Sequence, residues 1–209
     1  ADAEAIGADG LMVLPAMVYK TAEGETIRHL REVASSSALP IMCYNNPVSY
    51  GVDITPEMFA TLADVANLTT IKESSENTRR LVDITNLCGD RYTLFCGVDD
   101  LIVESVALGV KGWVAGMVNA FPHEAVRLWN LATQGRWDEA RALYAWFAPM
   151  MHLAETGKLV QHIKLAQSIV GVGPETARAP RVRIEGSERA HVTAIIREAL
   201  DARPKLAAE

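Results

Sequence analysis

The sequence holds only three cysteines, Cys43, Cys88 and Cys96, and no CxxC pair. Two of them sit in apolar strand-like runs, so the thiols are read as reduced and buried, which points to the cytoplasm. No apolar run approaches the about 20 residues of a membrane-spanning helix, and the chain has no basic-then-apolar start of the secretory kind. Basic residues are outnumbered, 20 Lys and Arg against 26 Asp and Glu, and they are scattered. The formal charge of -6 argues against nucleic acid or an anionic membrane as a partner. Neither GxGxxG nor GxxxxGKS/T occurs, so the usual phosphate-cradling turns are excluded. His123, His152, His162 and His191 fall on different amphipathic stretches, without the HxxxH spacing of a metal site.

What is present is an alternation. Hydrophobic residues make up 49% of the chain, enough for a sizeable core. Short apolar runs at 11–14, 40–44, 68–71, 92–96 and 112–116 predict strands. Between and after them, helical spacing appears at 26–34, 77–87, 101–108 and 122–133, and Thr55-Pro56-Glu57 opens another helix with a cap, a first-turn proline and an acid. Strand–helix alternation predicts a parallel sheet of the α/β class with helices outside it. Without a glycine-rich first turn, a barrel fits better than a doubly wound sheet.

From Arg136 the strands stop. Helices are expected at 138–151, 158–170 and 187–200, separated by Pro149, Gly171, Gly173, Pro174 and Pro180, with a frayed end at 202–209. The expected organisation is thus five strand–helix units of a (β/α)8 TIM barrel over 1–135 and a helical appendage over 136–209. A closed barrel needs eight strands. The other three are expected before Ala1, where the chain starts abruptly, inside what reads as a helix end and without an initiator Met.

Strand side chains alternate between faces. That puts Thr70, Lys72 and Ser74 on one face, Met42 and Tyr44 on one face of the preceding strand, and Phe95 and Gly97 on one face of the next. If the three strands are neighbours, Tyr44 and Lys72 project into one mouth, with Gly97 leaving space beside the lysine. Burial of an amine favours its neutral form, which attacks carbonyls. A tyrosine beside it can pass a proton back and forth, as carbinolamine formation and dehydration require. Taken singly, each residue has a plainer explanation: a lysine that snorkels, a core aromatic, a turn glycine. Asp99-Asp100 could be acids at a helix start. Trp129, Trp137 and Trp146 have the spacing of packing residues.

Three segments change that balance: 39–47 (LPIMCYNNP), Thr70-Ile71-Lys72-Glu73-Ser74, and Phe95-Cys96-Gly97-Val98-Asp99-Asp100. In order and separation they resemble the YNxP, IKE/D and GxDD elements of the dihydrodipicolinate synthase and N-acetylneuraminate lyase family. The resemblance implies a (β/α)8 barrel with a helical appendage, a homotetramer or homodimer, and a lysine Schiff base with a 2-oxo acid or imino acid that needs no metal or cofactor. It implies Lys72 as Schiff-base lysine and Tyr44 as proton-transfer group. Gly97 would lie beside the substrate, Ser74 and Asp99 would meet its hydroxyls, and Val114 and Gly116 would line the floor. The family's hydroxyl-bearing carboxylate loop, which follows its second strand, is not in this chain.

Two departures narrow the resemblance. Met17 and Ser49 fall where the synthases carry a relay tyrosine and a carboxylate-clamping arginine, and a serine cannot replace that planar fork. The runs 44–57 and 113–122 are most similar to a bacterial branch of hydroxyproline catabolism, the 1-pyrroline-4-hydroxy-2-carboxylate deaminases. The alternatives are a 2-keto-3-deoxy sugar acid dehydratase or aldolase, a 4-hydroxy-2-oxoglutarate aldolase, a dihydrodipicolinate synthase, or a non-catalytic relative.

Overall fold

The alternating runs do pair. In the computed structural model, which describes residues 2–155 and 157–205, β1 (Leu11–Val13), β2 (Ile41–Asn45), β3 (Leu68–Glu73), β4 (Thr93–Cys96) and β5 (Gly112–Trp113) form one parallel sheet. The strands lie in chain order, each beside the next. A doubly wound sheet would reverse that order at a switch point, whereas a barrel keeps it. The fold is α/β, in the order of consecutive units of a (β/α)8 barrel followed by helices.

The chain divides into two compact units, Ala1–Val114 and Ala115–Glu209. The first holds the sheet with α1 (Asp2–Ala5), α2 (Glu23–Ser35), α3 (Pro47–Tyr50), α4 (Pro56–Thr61), α5 (Arg79–Cys88) and α6 (Ile102–Ala107). The sequence reading ends the barrel portion at residue 135, so the helix at 122–133 that it assigns there lies in the second unit.

Alternation decides which side of the sheet is sealed. Ile41, Cys43, Leu68, Ile71, Leu94 and Cys96 are buried, as are Leu30, Phe59, Leu81, Ile84 and Ile102 of the surrounding helices. Each fully buried aliphatic side chain contributes about 1.5–3 kcal/mol. The opposite face carries Met42, Tyr44, Thr70 and Phe95, all half-buried. Loops are pinned by side chains: Asn67 Nδ2 donates to the carbonyls of Ala34, Ser37 and Leu39, and the Tyr92 hydroxyl donates to the Phe59 carbonyl at 2.7 Å. Of the thiols, Cys43 and Cys96 are buried and Cys88 is half-buried.

In the second unit, a 3-10 turn (Met117–Asn119) leads into α7 (Pro122–Thr133), α8 (Trp137–Met151), α9 (Leu159–Val170) and α10 (Gly186–Asp201). Phe121, Trp146 and Phe147 cluster with centroids 5.6 to 6.0 Å apart, Phe121 edge-on to the other two, and Trp146 Nε1 donates to the Ala199 carbonyl. Pro149 lies inside α8, which runs to Met151 as expected. The proline forfeits one backbone donor, but Phe147, Met150 and Met151 on that turn are wholly buried. Of the expected frayed end, residues 206–209 lie outside the described residues.

Candidate active site

The strand register brings the expected residues together. Tyr44 on β2 is the direct neighbour of Lys72 on β3, which in turn neighbours Phe95 on β4. Lys72 is 8% exposed, and its Nζ lies 3.7 Å from the centroid of the Tyr44 ring. A cation over an aromatic face is worth up to about 2 kcal/mol once desolvated, so the contact holds the amine at the mouth of the sheet.

Gly97 follows β4, with its N–H donating to the Glu73 carbonyl at 2.9 Å. A Cβ placed there would lie 1.9 Å from Ser74 Oγ and 2.8 Å from both Cγ and Cε of Lys72. Only glycine lets the lysine stem and the serine occupy this corner. Ser74 itself is 3% exposed, and its Oγ has no partner of good hydrogen-bonding geometry. It nevertheless comes close enough to favour the ionised Tyr44.

Burial by itself would raise the Tyr44 phenol, but it is outweighed. A hydrogen bond from Asn46 Nδ2 at 3.1 Å, the positive charge and contact of Lys72, and Ser74 together hold the phenol below its ordinary 10.0. Tyr50 packs edge-on against Tyr44, centroids 5.7 Å apart at 86°. Its own phenol is pushed up by burial and then by Tyr44. Tyr44, beside the amine and with its phenol lowered, can take up a proton there and return it.

The remaining expected residues are more dispersed. Asp99 is buried at the start of the 3-10 turn Asp99–Leu101, and with Asp100 it supplies the acids of that turn. Val114 follows β5, its N–H donating to the Cys96 carbonyl at 2.9 Å. Gly116 belongs to the second unit, where it precedes the Met117–Asn119 turn and accepts from Asn119 Nδ2 at 2.8 Å. Met17 and Ser49 are exposed. Ser49 sits in α3, donating its N–H to Asn46 Oδ1 at 2.9 Å.

The sequence reading gave no role to the residues behind the site. On the helix-facing side, Asn45 Nδ2 donates to both carboxylate oxygens of Glu73, at 3.2 and 3.1 Å, and to Asp53 at 3.3 Å. Asn45 Oδ1 accepts from the Ile54 N–H, Ser75 N–H donates to Glu73, and Arg80 pairs with Asp53. Burial raises the Glu73 carboxyl, and the hydrogen bonds of Ser75 and Asn45 only partly offset it. The alternation rule could have found this network: Asn45 and Glu73 are polar residues at positions that must face the helices.

A parallel β/α sheet with a buried lysine at a strand end, a tyrosine on the neighbouring strand and a glycine cleft defines a class of amine-nucleophile enzymes. Residues 1–199 match the dihydrodipicolinate synthetase family, and the chain belongs to that family, whose members are Schiff-base-forming lyases. Among its curated relatives, a 4-hydroxy-tetrahydrodipicolinate synthase from Geotalea daltonii is 27% identical over 94% of this chain and 68% of the relative. One from Clostridium novyi is 31% identical over 88% of this chain and 62% of the relative. The chain thus spans about two thirds of the length of these relatives. Dihydrodipicolinate synthase from Aquifex aeolicus superposes with a TM-score of 0.89, at 24% identity, over 99% of this chain and 70% of its own. A prophage protein of the dihydrodipicolinic acid synthase family from E. coli K12, solved with pyruvate, gives 0.86 at 25% identity over 95% and 68%.

Proposed function

We propose that this chain carries the nucleophile of a Schiff-base lyase acting on a 2-oxo acid or a cyclic imino acid, with 1-pyrroline-4-hydroxy-2-carboxylate as the substrate. The observation that carries this reading is Lys72 Nζ held 3.7 Å over the Tyr44 ring in a corner only Gly97 leaves open. The neutral amine adds to the imine carbon, and Tyr44 moves the proton to the ring nitrogen as the ring carbon–nitrogen bond breaks. The resulting Schiff base draws electrons from the neighbouring carbon. A proton leaves there, and the hydroxyl leaves one carbon further on as water. Tautomerisation turns the freed amine into an imine. Two waters then hydrolyse both carbon–nitrogen double bonds, releasing the keto acid semialdehyde, ammonia and Lys72. The balance is one water in and one ammonia out. Gly97 and Ser74 border the reacting carbon, with Asp99 and Val114 as further substrate contacts. The reading includes a homotetramer or homodimer in the cytoplasm.

Ser49 supports this reading over the synthase. It is exposed on α3 and offers a hydroxyl where a synthase needs a guanidinium to hold its second substrate. The relatives' names favour the synthase. Incubation of the complete gene product with the hydroxy-pyrroline, and separately with pyruvate and aspartate semialdehyde, tests the choice. Ammonia release from the first supports the deaminase; condensation in the second with no ammonia in the first overturns it.

A further inference from the structure

We propose that Asn46 sets the direction of proton transfer at Tyr44, holding the phenol oxygen as an acceptor so that the phenol's own proton points toward Lys72 and the substrate. The inference rests on the Schiff-base reading above and adds a residue to it. Asn46 has a locked amide. Its Oδ1 accepts the N–H of Ser49 at 2.9 Å, capping α3. That commitment fixes which side of the amide is nitrogen. Nδ2 is left to face Tyr44, where it donates to the hydroxyl oxygen at 3.1 Å. An amide NH2 has no lone pair with which to accept. The Tyr44 oxygen must therefore accept from Asn46, and its single hydrogen is left to the other groups about it, Lys72, Ser74 and Tyr50.

The titratable groups facing Tyr44 are Lys72, from β3, over its ring, and Tyr50, from α3, at its edge. Gly97, just after β4, and Ser74, just after β3, complete the corner. Before the amine can attack, the Lys72–Tyr44 pair must give up one proton in total, whichever atom keeps the other. A donor on the Tyr44 oxygen stabilises the form with negative charge there, so it lowers the pH at which that proton leaves. Asn46 does not touch the reacting carbon in this scheme. It is a positioning residue, and a structural cap at the same time, so the test must separate the two roles.

Asn46→Asp does so. The carboxylate still caps Ser49 but offers Tyr44 an acceptor in place of a donor. On the complete gene product, the rate of borohydride-trapped pyruvate adduct at Lys72 is measured against pH for the unsubstituted protein, Asn46→Asp and Asn46→Ala. The expected result is a rising limb displaced upward by about one pH unit in Asn46→Asp, about tenfold slower at neutral pH, with a smaller displacement in Asn46→Ala. Capping alone predicts the reverse order, with Asn46→Asp unchanged and Asn46→Ala impaired, and that result overturns the proposal. Tyr44 ionisation, read as the phenolate absorbance lost in Tyr44→Phe, needs no substrate. An upward shift of its midpoint in Asn46→Asp supports the assignment, and an unmoved midpoint overturns it. Absence of adduct on the unsubstituted protein with both pyruvate and the hydroxy-pyrroline would instead overturn the Schiff-base reading, and the Tyr44 titration would still decide the role of Asn46.

Discussion

On β2 and β3, Tyr44 and Lys72 look to one side of the sheet, and the next residue of each strand, Asn45 and Glu73, looks to the other. Both pairs are cross-strand neighbours. On the helix-facing side the pair is closed: Asn45 is 0% exposed, Glu73 6%, and Asn45, Asp53, Ser75, Arg80 and the Ile54 backbone form a continuous network with the carboxylate. The cavity beside it, lined by Glu73, Ser75, Leu81 and Cys96 among others, is about 10 Å³, room for about one water. On the other side Tyr44 is half-buried and Lys72 Nζ lies over its ring. A hydroxyl without a partner of good geometry lies on each side, Ser74 Oγ beside Lys72 and Ser75 Oγ beside the network. The carboxylate network fixes the strand register, and the face with Tyr44 and Lys72 is the one left for a substrate. Thiol chemistry follows the same division. Cys43, on the closed face, is pushed up to about 12 by burial and then by Glu73, which leaves it inert.

This contrast can be broken from either side, and the open face should give the larger effects. Lys72→Met should abolish the trapped adduct while the circular dichroism stays unchanged; a persisting adduct would place the nucleophile elsewhere. Tyr44→Phe should keep the adduct but slow its formation about 10²- to 10⁴-fold, seen in a time course of trapping. Gly97→Ala drives a methyl into Ser74 and Lys72, so it should slow trapping and cost about 1–3 kcal/mol in denaturant unfolding.

Glu73 tests the closed face. Its folded carboxyl holds its proton to higher pH than the unfolded one, whose ordinary value is 4.5. Its contribution to stability is therefore full below 4.5 and is lost as pH rises through the raised value. Glu73→Gln should remove that slope from the pH dependence of unfolding, while costing about 1 kcal/mol for the disturbed bond to Asn45. An unchanged slope would mean that Glu73 titrates as though exposed.

The sheet was legible because its signal is local. Period-two patterning placed Lys72, Tyr44 and Gly97 on matching faces, and short apolar runs marked all five strands to within a few residues. The sequence motifs pointed to the same residues as the register. Other features depend on partners that no local pattern reveals. The four-residue α3 starts at Pro47 behind its Asn46 cap and is too short for helical spacing to show. The role of Asn46 depends on which way an amide is turned, and that is set by a backbone N–H three residues on.

The central claim is that Lys72 is the covalent nucleophile. The most direct measurement is borohydride reduction of the complete gene product with pyruvate and with the hydroxy-pyrroline, read by intact mass and peptide mapping. The account predicts one reduced adduct, on the peptide that contains Lys72, and the ligand that traps chooses the substrate class. An adduct on another lysine, or none on a protein shown to be folded, would contradict it.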